Sequence, residues 1–307
     1  MRPRVVGACV ALLALLAGIA GAQPYAADGG FDRPRVAFDV SRAALASAVD
    51  GGTPRVLIGD ASRLRLVDLV AGTDLGSAPA TLLAERAVIR GVAAADGVGG
   101  GPAAFAWFER DATSGAYHYT WRWGADERPL ARTAQALELA LAMGAAGPEA
   151  WLALPTAAGG RLERYRWGDD ASETMVRSER SLAAPTVARD ADGSLHLAYL
   201  EGSTVETPIG LSAEWEVVYQ APDGSERRFG DALGPPATLV LDAADPVVLL
   251  WVRSDGTLMA VAPALAAAPH ALGPGRPVGI AGERAYWARG ATIVASGIET
   301  RGAADTR

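Results

Sequence analysis

The sequence contains no lysine and no asparagine. All 28 of its basic residues are arginine, set against 35 acids. Both missing amino acids use A-rich codons, so the bias is read as that of a GC-rich bacterial genome and not as selection for chemistry. Without asparagine, N-glycosylation is excluded. Histidine is scarce, present only as His118, His196 and His270; three isolated histidines do not make a zinc site. Cys9 is the only cysteine, which excludes a disulfide framework and, once the N-terminus is removed, thiol catalysis as well. Long helical stripes are missing too: past the N-terminus, no stretch keeps an uninterrupted 3.6-residue apolar period.

The one long apolar run lies at the start. Arg2 and Arg4 lead into Val5–Gly21, rich in Ala and Leu, and the run closes on Ala20-Gly21-Ala22 before Gln23-Pro24. A positive start, an apolar middle and a small-residue end describe a secretory signal of the Sec type. At about 17 residues the run sits at the lower limit for spanning a bilayer, so cleavage is expected and not a retained anchor. Cys9 does not end the apolar stretch, which argues against a lipoprotein. Cleavage removes Arg2 and Arg4 and no acid, moving the formal charge from -7 to -9. So acidic a chain disfavours nucleic acid and anionic membrane as partners. The expected location is secreted or periplasmic, with no membrane association after cleavage. The remaining ~285 residues are enough to bury a core without disulfides.

An internal repeat organises the rest. Ala106-Trp107 recurs 44 residues later as Ala150-Trp151. The same offset takes Gly115 to Gly159, Trp121 to Tyr165, Arg122-Trp123-Gly124 to Arg166-Trp167-Gly168, and Asp126 to Asp170. The pattern weakens but continues in both directions. Its second apolar run carries an aromatic at Trp107, Trp151, Tyr199, Trp251 and Trp287, and the first unit has Arg55-Val56-Leu57-Ile58-Gly59 there instead. Asp192-Gly193, Asp223-Gly224 and Asp255-Gly256 fall between apolar runs, and Asp-Gly is a strong hairpin signal. The Ala- and Leu-rich segment Thr133–Met143 is read as a first strand from its place in the repeat.

Units near 42–85, 86–132, 133–180, 181–232, 233–274 and 275–303 have mostly the lengths of four-stranded propeller blades. The expected fold is all-β: a single β-propeller of about six four-stranded blades, five and seven being the alternatives. The last unit offers three runs, and Arg35–Val40 is a spare strand outside the first unit. An N-terminal strand closing the last blade would remove the open sheet edges. The domain plan is a signal peptide at 1–22, a tail at 23–34, the propeller at 35–303 and a C-terminal tail at 304–307.

The stretch from Ala184-Pro185 through Asp190-Ala191-Asp192-Gly193-Ser194-Leu195-His196 to Tyr199 resembles the repeats of sialidase-type (BNR-like) propellers. The strict Asp-box, Ser-x-Asp-x-Gly-x-x-Trp, is absent. The resemblance implies a propeller fold. It also nominates His196 and Tyr199, since some similar polysaccharide lyases use a His and a Tyr as acid and base. Their odd separation places them on opposite faces of a strand. Asp190 and Asp192 are a calcium candidate, against the simpler reading of a capped turn. No other cofactor is expected.

The second-strand aromatics are read as inter-blade core, because a residue recurring once per blade packs between blades. Trp121, Trp123, Trp167 and Trp215, on third strands, are the candidates for stacking on sugar rings. Gly97–Pro102 is glycine-rich but has no helix after it, so a phosphate cradle is not expected. The balance favours a monomeric, non-enzymatic binding or scaffold protein of the envelope, with a protein or a glycan as partner. The alternative is a secreted carbohydrate-active enzyme, sialidase-like or lyase-like. Expressed with its own N-terminus in a bacterial host, the exported protein is expected to begin at Gln23. Intact-mass measurement would contradict this by finding the full-length chain.

Overall fold

The computed structural model of the chain describes residues 43–298, apart from 61–62, 86–88, 208–209, 237, 244, 266–267 and 282–283. At 84, 85, 98, 205–207, 210 and 211 the backbone alone is described. The secretory signal and the strand Arg35–Val40 lie outside these residues. Among them, the only helical turns are Val98–Gly100 and Pro263–Leu265, and no helix is long and apolar enough to cross a membrane.

Six sheets follow one another along the chain, each built of consecutive antiparallel strands. Blade 1 holds β1 (Ala44–Asp50), β2 (Thr53–Gly59), β3 (Arg63–Asp68) and β4 (Thr81–Glu85). Blade 2 holds β5 (Ile89–Ala95), β6 (Ala104–Arg110), β7 (Tyr117–Trp123) and β8 (Asp126–Thr133). Blade 3 holds β9 (Leu139–Gly144), β10 (Gly147–Thr156), β11 (Gly159–Arg166) and β12 (Ser172–Ser178). Blade 4 holds β13 (Ser181–Arg189), β14 (Leu195–Thr207), β15 (Gly210–Gln220) and β16 (Glu226–Ala232). Blade 5 holds β17 (Val240–Asp242), β18 (Val248–Val252), β19 (Thr257–Val261) and β20 (His270–Pro274). Blade 6 has three described strands, β21 (Arg276–Ala281), β22 (Arg284–Arg289) and β23 (Thr292–Gly297).

The first strand of each blade neighbours the first strand of the next, and β21 returns to β1. The fold is therefore a six-bladed propeller ring. The Arg276 guanidinium donates to the Ala43 carbonyl across the seam, at 2.8 Å. Gly279 lies so close to the Ser47 hydroxyl that any side chain there would collide with it. The β3–β4 connection also crosses to blade 6. Gly72 N–H donates to Ile293 O (2.8 Å), Ile293 N–H to Thr73 O (2.9 Å) and Leu75 N–H to Ala291 O (2.9 Å). Part of the free edge of β23 is thus paired by blade 1.

The Asp-Gly turns form as the dipeptides require. Gly193, Gly224 and Gly256 sit at φ +80°, +83° and +83°, a region glycine enters without steric cost. Asp223 and Asp255 accept the N–H two residues on, from Ser225 and Thr257, each at 2.9 Å. The segment Thr133–Met143 differs from its reading: Thr133 ends β8 and the new strand begins only at Leu139.

The repeating aromatics fill the gaps between blades. Trp107 packs with Leu57 and Leu64 of blade 1, and Trp151 with Leu182, Leu197 and Tyr199 of blade 4. Trp251 packs with Leu200 and Phe229 of blade 4, and Trp287 with Leu250 and Leu258 of blade 5. In blade 1, β2 places the fully buried Leu57 in the same gap as Trp107. The indole nitrogens of Trp151 and Trp251 are buried without a hydrogen-bond partner among the described residues, so no hydrogen bond from the indole helps to hold these rings. Trp151→Ala is expected to cost about 3–5 kcal/mol of unfolding free energy. Trp151→Phe, which removes the orphan donor and keeps much of the ring, should cost clearly less. Guanidinium denaturation of both variants checks the order.

Candidate functional site

Three of the four stacking candidates come together between blades 2 and 3. The Trp121 and Trp167 ring centroids are 4.9 Å apart, and Trp123 meets Trp167 edge-on at 6.1 Å. Arg128 lies 4.7 Å over the Trp167 ring, and Gly147 backs onto both Trp123 and Trp167. Trp121 is buried; Trp123 and Trp167 are half-buried. Trp121 and Trp123 from β7 and Trp167 from just past the end of β11 enter the same gap, where they join its core. Much of the surface of these indoles is taken up by one another.

His196 and Tyr199 lie on opposite faces of β14. Tyr199 packs into the core with Trp151, and burial pushes its phenol well above the ordinary value. The partner of His196 is Tyr219, on β15: its hydroxyl lies 2.7 Å from His196 Nδ1. Nε2 lies 3.4 Å from Asp190 Oδ2. If Nε2 carries the proton, His196 donates to Asp190 and accepts from Tyr219. Both rings are nearly buried, at 6% and 2% exposure. They edge a recess of about 650 Å³ whose lining also includes Pro222, Ser225, Arg227 and Pro263.

Asp190 caps its turn. Its Oδ1 accepts from Asp192 N–H (3.0 Å) and Ser194 N–H (2.8 Å). Desolvation works to raise this carboxyl, but the hydrogen bonds from Ser194, His196 and Asp192 outweigh it and hold it below its ordinary value. Among the described residues, no three His, Asp or Glu side chains form a metal-ligand set.

Trp215 stands apart from the other three indoles. Its ring lies on the backbone of Gly202, its cross-strand partner, and its pyrrole edge meets Gly234. A glycine opposite an aromatic leaves the ring a flat floor. The strand beside it is irregular: the β15–β16 register slips between Trp215 and Val217, and Asp231 in the bulge sits at φ +55°. Asparagine, aspartate and glycine tolerate that region best. Asp231 is held there by Arg253 Nε (2.7 Å) and by the hydroxyl of Ser254. The bulge opens a recess of about 510 Å³ lined by Trp215, Arg180, Glu201, Glu214, Glu216 and Asp231, among others. This second recess is at the opposite end of blade 4 from the first.

The buried carboxylates are tied up in pairs. Glu201 accepts from Ser178 Oγ (2.6 Å) and Arg228 (2.5 Å), and Arg228 also meets Glu216 at 2.5 Å. Burial alone would raise Glu201; Ser178 and Arg228 bring it below its ordinary value. Glu149 receives Arg189 at 2.7 Å across the blade 3–4 gap. The exception is Glu138, just before β9. Its carboxylate accepts the N–H of Ala184, which sits at φ +45° in a bulge of β13. Among the described residues no cation joins it, and burial raises its pKa from 4.5 to about 7.

No family model matches the chain, and no curated protein matches it. Solved structures match in fold. A chain of the nidogen/laminin complex aligns with TM-score 0.54 and 16% identity, over 79% of this chain and 89% of that one. TolB from Acinetobacter baumannii aligns with TM-score 0.50 and 10% identity, over 71% of this chain and 51% of that one. The chain thus spans about half the length of that protein. A six-bladed fungal lectin from Aleuria aurantia, described with a fucose recognition mode, aligns at TM-score 0.42 and 10% identity, over 72% and 75% of the two chains. At these identities the likeness is one of fold.

The raised Glu138 has a sign that can be checked. Between about pH 4.5 and 7 the folded chain holds a proton that the unfolded chain has released, so stability falls as pH rises through that window. Asp96, also raised by burial, contributes with the same sign. Glu138→Gln is expected to flatten the fall without abolishing it. Urea midpoints of both proteins at about pH 5 and pH 8 measure this, and an unchanged slope in the variant would contradict it.

Proposed function

We propose that the chain is an exported propeller of the bacterial envelope that binds a partner and does not turn it over, with the Trp215 end of blade 4 as its binding surface. The export signal supports the location, and the observation that carries the site is the Trp215 recess. It combines an indole face, a floor of glycine backbone and a rim of charged side chains. A flat apolar face with polar groups around it suits a sugar ring or a side chain of a protein partner. Asp231 at positive φ beside it is the kind of strained residue that clusters at binding sites.

A second reading has its own observation. Tyr219, His196 and Asp190 form a hydrogen-bonded chain at the edge of the larger recess, the arrangement in which a base is oriented by a third group. It supports a carbohydrate-active enzyme in which Tyr219, not Tyr199, is the partner of His196. The binding reading is preferred because both rings are almost closed off from solvent. It makes the sialidase-like resemblance one of repeat alone.

Glycan and peptide arrays probed with the mature chain, beside hydrolase and lyase assays on the same glycans, separate the two. The expected result is saturable binding without turnover, weakened about tenfold or more by Trp215→Ala, the size of losing a stacking contact. Glycan turnover that disappears in His196→Ala would overturn it.

A further inference from the structure

Blade 4 is built differently from the other five. Its middle strands, β14 and β15, are 13 and 11 residues long, and its outer strands do not follow them to the end. β13 leaves β14 at the pair Ser181–Gly202, and β16 leaves β15 at the pair Ala232–Trp215. Beyond this step five pairs continue, from Ser203–Glu214 to Thr207–Gly210. They form a two-stranded arm with both edges unpaired by the blade. Such edges present rows of N–H and C=O groups that template a further strand, and proteins commonly protect them with lysine, proline or a bulge.

The arm carries a different kind of protection. From Asp190 to Glu226 the sequence contains eight carboxylates and no arginine. Glu206 and Glu214 lie on the arm itself. Two copies paired edge to edge would bring like charges together, which opposes self-association. The same charge attracts a basic strand. At the step, the recess beside Trp215 is lined by Glu201, Glu214, Glu216 and Asp231 against Arg180 alone. Arg228 and Arg253 engage three of these carboxylates from outside the lining. Glu214 is exposed and has no ion pair among the described residues. On β15 Glu214 and Trp215 point to opposite faces, so a strand added along this edge would set one side chain beside the carboxylate and the next beside the indole.

We propose that the open edge of β15 at Ala213–Glu214 takes an extended basic segment of a partner protein as an added strand, an Arg or Lys side chain meeting Glu214 on one face and its neighbour in the segment covering Trp215 on the other. This rests on the reading of the Trp215 end of blade 4 as the binding surface. Main-chain bonds along the edge supply affinity, and Glu214 supplies the preference for a cation. A glycan enters that reading only as an outcome of the test.

The probe is a fluorescein-labelled peptide of about nine residues alternating Arg and Thr, titrated with the mature chain at about 0.15 M salt and read by anisotropy. Two controls share its length: one carries Glu in place of Arg, and one keeps every Arg but is N-methylated at alternate residues. Saturable binding of the first peptide is expected, with none of the Glu peptide and at least tenfold weaker binding of the N-methylated one. Glu214→Arg is expected to weaken it about tenfold, and Trp215→Ala, which removes an apolar contact from the other face, about threefold. Unchanged circular dichroism establishes that the variants are folded. Equal binding of the N-methylated peptide would reduce the effect to charge attraction and overturn strand addition. Indifference to Glu214→Arg would overturn it too. If a glycan from the array binds through Trp215 and the Arg peptide does not bind, the strand proposal fails and the binding reading stands.

Discussion

The packing of a second-strand aromatic against the neighbouring blade is the contact on which the molecule depends. A single four-stranded sheet cannot bury both its faces. In this ring each gap between sheets is filled by apolar side chains, with Trp107, Trp151, Trp251 and Trp287 at 5% exposure or less. The stability of such a repeat array is close to a sum of such interfaces. Closing the ring removes the two terminal interfaces that an open array would expose. That is why the seam between β1 and β21 has its own devices: the Arg276–Ala43 bond, the Gly279–Ser47 contact and the strand-like pairing of residues 72–75 with β23. Together they join the first and last blades, which the chain does not connect directly.

Much of this was legible in the sequence because it is periodic. The register from Trp107 to Trp151 and from Trp123 to Trp167 places equivalent residues on equivalent strands, and a signal that repeats can be read without knowing any contact. Each of the six sheets falls within its sequence unit, give or take a residue. What happens once was not legible. Tyr219 meets His196 only because β14 and β15 pair in the register that runs from Leu197–Gln220 to Thr207–Gly210, and the residues joining the two strands carry no Asn-Gly or Asp-Gly signal. Counting outward along that register places Tyr219 diagonal to His196, but nothing local in the sequence marks its origin. The Trp215 recess was hidden for a similar reason. It depends on a slip between β15 and β16 and on Gly234 from the next connection.

The polar groups follow a consistent division. In blades 3 and 4 the buried carboxylates Glu149 and Glu201 are each met by arginine, so their charge is compensated where it is desolvated. Glu138 is the exception and answers by taking up a proton near neutral pH. Glu214, on the long hairpin of blade 4, is exposed and has no ion pair among the described residues. The ring and this arm are then two parts with different tasks: the ring supplies the fixed geometry, and the arm supplies an edge that runs beyond the outer strands of its own blade.

Amide hydrogen exchange on the free, full chain tests that division most directly. The account predicts that the first and second strands of all blades, including β1 and β21 at the seam, exchange slowest and open together as one cooperative unit, while the amides of 203–207 and 210–214 on the open edges exchange orders of magnitude faster. Early opening of β1 and β21 ahead of the other blades, or protection of the arm equal to that of the ring, would contradict it.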